Sequence, residues 1–218
     1  RDFEFTLSFM TRALTTVVSH RALYETLHVE TKPKLMAGWD KLSKILDYLV
    51  TILPTRAYVH STGDMSTTNV LIPLIAYLSQ NNGRFPNEIN LNRALHYMYS
   101  ALAWSRYSGQ TDQKLEADVS VVFKENNPWE KLIDALIDQR GRIKVTPNDL
   151  EGRTAGHPLY NITYILSKAN GALDWFNGLP LTSKQIGSYY IHSHHIFPTS
   201  YLYANGYDAD NHLHRKIV

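Results

Sequence analysis

Hydrophobic residues recur at a helical spacing through most of the chain. The clearest amphipathic stretches are 3–18, 35–53, 69–78, 87–107, 111–123, 128–137 and 158–169. Pro33 and Pro54 predict the two ends of the longest stripe, and Pro73 predicts a kink within the 69–78 segment. The pattern therefore predicts about seven or eight helices, and a mainly α-helical fold, up to roughly residue 180.

Polar residues between these stretches predict how the helices begin and end. Thr111 stands where a capping residue would, and Asn127-Pro128-Trp129-Glu130 has the residue order of a capping box. Asn81-Asn82-Gly83 predicts a break, because Asn and Gly accept the backbone angles that end helices. The large aromatic residues in the fourth stretch have helical spacing and are predicted to lie in the core: Tyr97, Tyr99, Trp104 and Tyr107.

The sequence changes character after residue 180. Residues 188–197 are rich in Tyr, Ile, Phe and His, which favours a β-strand. The segment 201–203 is predicted as a second short strand, and a helix is predicted to begin at Asp208 or Asp210. We therefore divide the chain into a helical domain, 1–180, and a smaller strand–strand–helix module, 181–218.

Composition narrows the classes of protein that fit. The 218 residues are 44% hydrophobic and 19% charged, as is typical of a folded protein. Because there is no cysteine, disulfides and thiolate metal sites are excluded, and a metal must be held by His, Asp, Glu or Asn. No apolar run approaches the roughly 20 residues of a membrane span and no signal peptide is visible, so we expect a cytoplasmic protein without a membrane partner. The net charge of +2 means that a DNA-binding surface must come from local clusters.

Histidines are concentrated near the end of the chain, in Ile191-His192-Ser193-His194-His195-Ile196-Phe197-Pro198. In a strand, alternate side chains share a face, so His192 and His194 would form a metal-ligand pair and leave His195 for acid–base chemistry. For His194 and His195 to serve one site the strand must end beside them, and Pro198 is well placed to end it. The plainer alternative is a histidine-rich surface edge that holds no ligand.

The motif His194-His195-Ile196-Phe197-Pro198 resembles the first motif of HNH (ββα-metal) nucleases, in which an acidic residue precedes His-Ile-x-Pro. Two upstream segments, Trp104–Ser108 and Leu115–Asp118, resemble the helical part of GmrSD-type modification-dependent restriction endonucleases. The segment Ala172-Leu173-Asp174-Trp175 resembles that family's junction with its nuclease module. The resemblance covers about residues 90–218 and implies a mainly α fold that leads into a partial ββα module.

The resemblance implies a metal-dependent DNA endonuclease of a bacterial phage-defence system. His195 would be the general base, His194 would hold the metal at the position usually occupied by a carboxylate, and Pro198 would set the turn. The implied cofactor is a divalent ion, Mg²⁺ or Mn²⁺, although an imidazole ligand also suits Zn²⁺ or Ni²⁺. The implied partner is DNA, which the family recognises in modified form.

Two parts of the family pattern have no clear counterpart in this sequence. Family members continue after the basic helix with Asn residues that complete the site, and the nearby candidates here are Asn205 and Asn211. The upstream nucleotide-binding domain, marked by a Gly-Gln-Gln-Arg-like motif, is also missing, so we expect it as a further domain or subunit. Because the chain starts with Arg1 and stops within an apolar pattern at Val218, we expect a piece of a longer protein.

Other residues are weaker candidates for a site. Arg215 and Lys216 on the predicted last helix would hold backbone phosphate, His157 is predicted in a surface turn, and His96 is predicted to be partly buried. Four basic residues offer a phosphate contact, with a solvated loop as the alternative: Arg140, Arg142, Lys144 and Arg153.

Two hypotheses compete with the nuclease. The chain would be a non-catalytic helical interaction or DNA-sensor module whose histidine-rich tail is structural. Alternatively, the tail would hold a structural zinc ion through four histidines: His192, His194, His212 and His214.

Overall fold

The computed structural model describes residues 3–153, 156–175, 177–182, 197–208 and 210. These residues form a mainly helical fold, as the periodicity predicted. The α-helices are α1 (Leu7–Ser19), α2 (Lys32–Arg56), α3 (Leu71–Gln80), α4 (Glu88–Ala103), α5 (Thr111–Lys124), α6 (Pro128–Arg140), α7 (Pro147–Leu150), α8 (Pro158–Ala169) and α9 (Thr199–Ala204). Short 3₁₀ turns lie at Tyr24–Thr26, Thr62–Asp64 and Thr68–Val70. Within the described ranges there is no β-strand, only an isolated antiparallel bridge between Leu173 and Pro180.

Helix α3 is the centre of the core. Its residues from Leu71 to Ser79 are all buried, because it is apolar on every side, and it packs against α1, α2 and α5. Helix α4 packs against α6 and α8, and α5 packs against α6. Each surrounding helix has only one buried face, as its amphipathic pattern predicted.

Helices α1 and α2 lie unusually close together where Gly38 meets Val18. A Cβ atom at Gly38 would collide with the Val18 side chain, so only glycine fits at this crossing. The long α2 helix is thereby held against the core along its Leu42–Leu53 face.

Two prolines act differently from the prediction. Pro54 does not end α2, which continues to Arg56; the Leu53 carbonyl there accepts the amides of Ala57 and Val59. Pro73 is the third residue of α3, so its missing amide falls in the first turn, where a helical N–H has no acceptor. The segment begins a helix near this proline rather than bending at it.

One predicted cap is wrong, and a second is only partly as predicted. Thr111 is the first residue of α5, after Gln110, and its hydroxyl donates to the Tyr107 carbonyl instead of capping. Asn127 is the N-cap residue of α6, followed by Pro128 as predicted, but it makes no side-chain capping bond, and its Oδ1 is buried without a partner among the described residues. A capping box forms instead between Thr146 and Asp149 at α7, because Asp149 reaches back to the Thr146 amide at 2.7 Å.

The predicted second strand at 201–203 is also wrong. Residues Thr199–Ala204 form the short helix α9, which begins directly after Pro198. Proline favours helix starts, and here its fixed backbone overrides the strand preference of the tyrosines that come next. None of the helices in the described ranges has the length and apolar character needed to cross a membrane.

Candidate functional site

The residues that carry the nuclease motif lie outside the described part of the chain. These are the predicted base and metal ligand, the other tail histidines, the second asparagine candidate and the basic pair: His192, His194, His195, Asn211, His212, His214, Arg215 and Lys216. In the sequence, the described residues that flank the histidine pair end at residue 182 on one side and begin again at Phe197 on the other.

Pro198 stands at the start of helix α9. Its φ of −55° and ψ of 138° precede the first helical turn, and its carbonyl accepts the amides of Tyr201 and Leu202 at 2.9 and 3.1 Å. Leu202 is buried, whereas Phe197 and Tyr201 are half-exposed and stack on each other with ring centroids 6.2 Å apart. Pro198 thus leads directly into α9, with the ring of Phe197, a member of the motif, stacked on the ring of Tyr201.

Asn205 is engaged in ending α9. Its side-chain nitrogen donates to the Tyr201 carbonyl at 2.8 Å, and its backbone amide donates to Tyr201 and Leu202. This bond satisfies one of the carbonyls that the end of the helix leaves free.

The segment that resembles the family junction forms an ordered turn. The Asp174 amide donates to the Leu179 carbonyl at 2.8 Å, and the Asp174 carboxylate accepts the Asn177 amide at 3.0 Å. Gly178 completes the turn at φ 69°, a conformation that favours glycine. Trp175 lies at the tip with 91% of its side chain exposed. Such an exposed indole contributes little to folding and is available to a partner.

The basic cluster after α6 is partly neutralised. Asp149 accepts from Arg142 at 2.8 Å and from the Thr146 amide and hydroxyl, and these bonds lower the pKa of Asp149 to about 2. Arg153 donates to the Asp149 carbonyl at 2.9 Å. The Arg142 guanidinium also lies 5.4 Å above the Trp104 ring. The loop is thus held in a defined shape, which favours a structural role for Arg142 over a phosphate contact.

Trp104 fastens this loop to the end of α4. Its indole N–H donates to the Ile143 carbonyl at 2.8 Å. All four basic residues are exposed, but Arg142 and Arg153 bond to Asp149, whereas Arg140 and Lys144 form no ion pair within the described residues. They are the members of the predicted cluster best placed for an anion.

The two helical segments that resemble the family, Trp104–Ser108 and Leu115–Asp118, contribute to a buried polar network. The carboxylate of Asp118, 1% exposed, accepts Arg106 on both oxygens at 2.7 and 3.1 Å. The hydroxyls of Tyr97 and Tyr107 donate to the same carboxylate at 3.0 and 2.8 Å and contact each other at 2.6 Å. Burial, with the charge of Asp118, raises the pKa of Tyr97 well above its ordinary value, so the hydroxyl stays protonated.

This network also ties three helices together. The Arg106 guanidinium donates to the Ala135 carbonyl and to the Gln139 side chain on α6 at 3.1 and 2.8 Å. Nearly every donor and acceptor therefore has a partner, which is what a buried charge requires. The placement of Tyr97 and Tyr107 in the core is as predicted, and the group has no opening toward a substrate.

A second buried ion pair joins helix α8 to the segment between α2 and α3. The Lys168 ammonium, 3% exposed, donates to Asp64 Oδ2 at 2.8 Å and lies 4.2 Å from the centre of the Tyr164 ring. The same carboxylate oxygen accepts the amides of His60 and Ser61 at 2.7 and 3.3 Å. The pair connects residues 104 positions apart, so no local pattern could reveal it.

His60 lies beside this pair with its ring nitrogen Nε2 buried and unpartnered among the described residues. Burial, followed by the Lys168 charge, lowers the pKa of His60. The ring is therefore held neutral near a cation, and protonating it would place two positive charges together.

The structure also places the two histidines predicted in the helical region, His96 and His157. His96 is exposed on α4, so the prediction of partial burial is wrong; its neighbours Leu95 and Tyr97 face inward instead. His157 caps α8, since its Nδ1 accepts the Leu159 amide at 3.2 Å. In the described ranges, no three His, Asp or Glu side chains converge as a metal site would need. The predicted metal ligand, His194, lies outside those ranges.

Comparison with known proteins gave no assignment. No protein-family model, curated protein or solved structure matches the chain.

Proposed function

We propose that the protein is a metal-dependent DNA endonuclease of the HNH type, acting in a restriction or phage-defence system. The observation that carries the proposal is the motif His194-His195-Ile196-Phe197-Pro198, followed by the basic pair Arg215-Lys216. Two adjacent imidazoles before a turn offer one metal ligand and one proton acceptor on neighbouring positions.

The proposed roles follow from the chemistry of each side chain. The His195 imidazole takes a proton from the attacking water, as a group with a pKa near neutrality does well. The His194 imidazole holds the divalent ion, which stabilises negative charge on the phosphate and the leaving oxygen. Arg215 and Lys216 hold the backbone phosphate through charge-assisted hydrogen bonds.

The described residues support the proposal in two ways. Pro198 directly precedes α9, where its fixed φ sets how the motif joins the helix that follows. The charged network of the helical body is occupied in its own packing, since Arg106 and Asp118 satisfy each other. We therefore expect the catalytic residues in the C-terminal module, for which we propose a ββα fold.

Metal removal tests the proposal in the full-length protein. Supercoiled plasmid should be nicked when Mg²⁺ or Mn²⁺ is supplied, and a chelator should abolish nicking until a divalent ion is restored. His194→Ala should weaken the ion's apparent affinity. The matched control is His96→Ala, because His96 is an exposed helical histidine away from the tail. Nicking that persists in chelator would reject the metal-dependent reaction.

A second candidate function is a non-catalytic interaction module, and one observation favours it. Trp175 is 91% exposed in the turn that the Asp174 amide closes with the Leu179 carbonyl, and the side chains of Leu173 and Leu179 are half-exposed. Such an apolar projection is typical of a docking element. This function predicts a DNA or protein complex that Trp175→Ala weakens and that neither a chelator nor His194→Ala affects. A structural zinc site in the tail would differ again, because chelation would remove stoichiometric zinc and reduce the order of the tail.

A further inference from the structure

A cavity of about 340 Å³ lies where the carboxyl ends of α1 and α5 meet. It is lined by His20, Arg21, Glu116, Ser120, Phe123 and Lys124. The cavity belongs to the helical body and includes none of the tail histidines. Neither buried ion pair of the body contributes to it.

The stacked rings of His20 and Phe123 form one side of this cavity, which we call the aromatic floor. The His20 ring stacks on the Phe123 ring with centroids 4.2 Å apart and an angle of 20° between the planes. His20 ends α1 in the left-handed conformation, at φ 58°, where glycine would fit without strain. The helix end alone would therefore favour glycine, yet this chain places an imidazole there. Because His20 is exposed, part of its ring remains accessible to a flat ligand.

Basic side chains lie in and near the cavity: Arg21 and Lys124 line it, and Lys34 and Lys41 lie outside the lining but act on the charge of the His20 ring. Arg21 is paired with Glu116, which also accepts the Ala22 amide at 2.7 Å, and Lys34 is paired with Glu30. Lys41 and Lys124 form no ion pair within the part of the chain that the structure describes.

The electrostatic consequence is visible on the imidazole itself. Burial, followed by the charges of Lys41 and Lys34, lowers the pKa of His20. The two helix ends contribute about half a negative charge each, which Lys124 in the lining and Lys41 near the ring offset. The cavity can therefore accept an anion at Lys124.

The combination selects a ligand with both a flat ring and a negative charge. An aromatic base gains stacking energy on an aromatic or imidazole platform, and a phosphate gains from nearby lysines. Ser120, on the same wall, provides a hydroxyl that can donate or accept a hydrogen bond. In duplex DNA the base faces are already stacked, so an unpaired nucleotide fits this wall better than a paired one.

We propose that this cavity binds one unpaired nucleotide of a DNA strand, with the base on the His20–Phe123 floor and the phosphate at Lys124. The choice of DNA over a free nucleotide rests on the proposed function. The expected stacking of a base and binding of a phosphate rest on the cavity alone. The cavity would hold a single-stranded flank or a displaced end of the DNA while another part of the protein acts on the duplex.

The test measures binding in a chelator, so that cleavage plays no part. A fluorescent single-stranded dT₁₀ oligonucleotide is titrated with the full-length protein and followed by anisotropy. His20→Gly removes the ring while keeping the backbone conformation unstrained, and should weaken binding about tenfold. Lys124→Glu should weaken it at least as much and should reduce its salt dependence. Lys131→Glu makes the same charge change on an exposed position of α6 and should alter affinity less than twofold.

Free dTMP forms the second arm of the test. If dT₁₀ binds and both cavity variants weaken it, the proposal holds, whether or not dTMP competes weakly. If dTMP binds the cavity and dT₁₀ does not, the site takes a free nucleotide and the DNA assignment is overturned. If neither probe depends on His20 and Lys124, or if Lys131→Glu weakens dT₁₀ equally, the site assignment itself is overturned. None of these outcomes requires nicking, so failure of the proposed nuclease is seen separately.

Discussion

The helical body and the described residues after α8 differ in which side chains they bury and which they expose. In the body, from α1 to α8, the buried charges are paired: Asp118 receives four hydrogen bonds from Arg106, Tyr97 and Tyr107. In the described residues after α8, aromatic rings are turned to solvent, with Trp175 the most exposed at 91%. The body uses its polar chemistry to hold helices together, whereas the C-terminal segment carries side chains that folding does not require. Substitutions should therefore divide into those that change stability and those that change only function.

The largest loss of stability is expected for Asp118→Ala. It would leave the Arg106 guanidinium buried without its carboxylate and two tyrosine hydroxyls without an acceptor. Breaking such a pair typically lowers the free energy of unfolding by about 3–5 kcal/mol. Urea unfolding followed by circular dichroism measures it.

The matched control for this prediction is Glu88→Gln. Glu88 pairs with Arg56 at an exposed position, where solvent screening makes ion pairs weak. Its replacement should have a much smaller effect than Asp118→Ala. Equal effects of the two substitutions would show that the Arg106–Asp118 network does not hold the body together.

A smaller loss is expected for Lys168→Met, because Asp64 keeps its two backbone amide donors. The expected decrease in unfolding free energy is about 1–3 kcal/mol. Hydrogen exchange should accelerate in α8 more than in α3, since the pair fastens α8 to the 62–64 turn. Adding Asp64→Asn should recover part of the loss, as removing both charges relieves the unpaired carboxylate. Uniform exchange in both helices would mean that α8 is fixed by its apolar contacts alone.

A still smaller effect is expected from His60, and it depends on pH. Since the folded pKa is lowered from the ordinary value of 6.5, the unfolded chain binds the proton more readily. The stabilisation is complete above about pH 6.5 and is lost as the pH falls through the folded pKa. The melting temperature of the protein should thus decrease on acidification, and His60→Gln should reduce that decrease.

The charged groups that act on His60 are Lys168 of α8 and Asp64 of its own segment, and the Tyr164 ring contacts Lys168. His20 and His157 also have lowered pKa values and contribute in the same direction, so the comparison must be made against the parent protein at each pH. An acid-induced decrease of the same size in His60→Gln would contradict a contribution of the His60 ring to the acid sensitivity.

The sequence predicted the positions of the helices well and the hydrogen bonds at their ends poorly. Apolar periodicity located α2 and α4 because a helix must bury one face, and Asn81-Asn82-Gly83 marked the end of α3 because Asn82 and Gly83 adopt positive φ. It misplaced the cap at Thr111 and predicted a side-chain bond at Asn127 that does not form, since a capping bond depends on backbone geometry that residue identity does not determine.

Long-range chemistry was invisible for a different reason. The Lys168–Asp64 pair joins two positions that share no pattern, and the His20 cavity exists only because α1 and α5 end side by side. The tyrosines of 201–203 favoured a strand, but the local effect of Pro198 prevailed. Residue identity did single out the His194-His195 motif, whose geometry lies outside the described residues.

The rate of plasmid nicking by His195→Ala is the measurement that bears most directly on the proposed function. The full-length parent and variant would be compared at one divalent-ion concentration, with melting temperature measured on the same samples. We predict a loss of about 10²–10⁴-fold in rate, the usual contribution of a general base, with the melting temperature unchanged. Nicking at the parental rate by the folded variant would contradict the role of His195 and the nuclease proposal built on it.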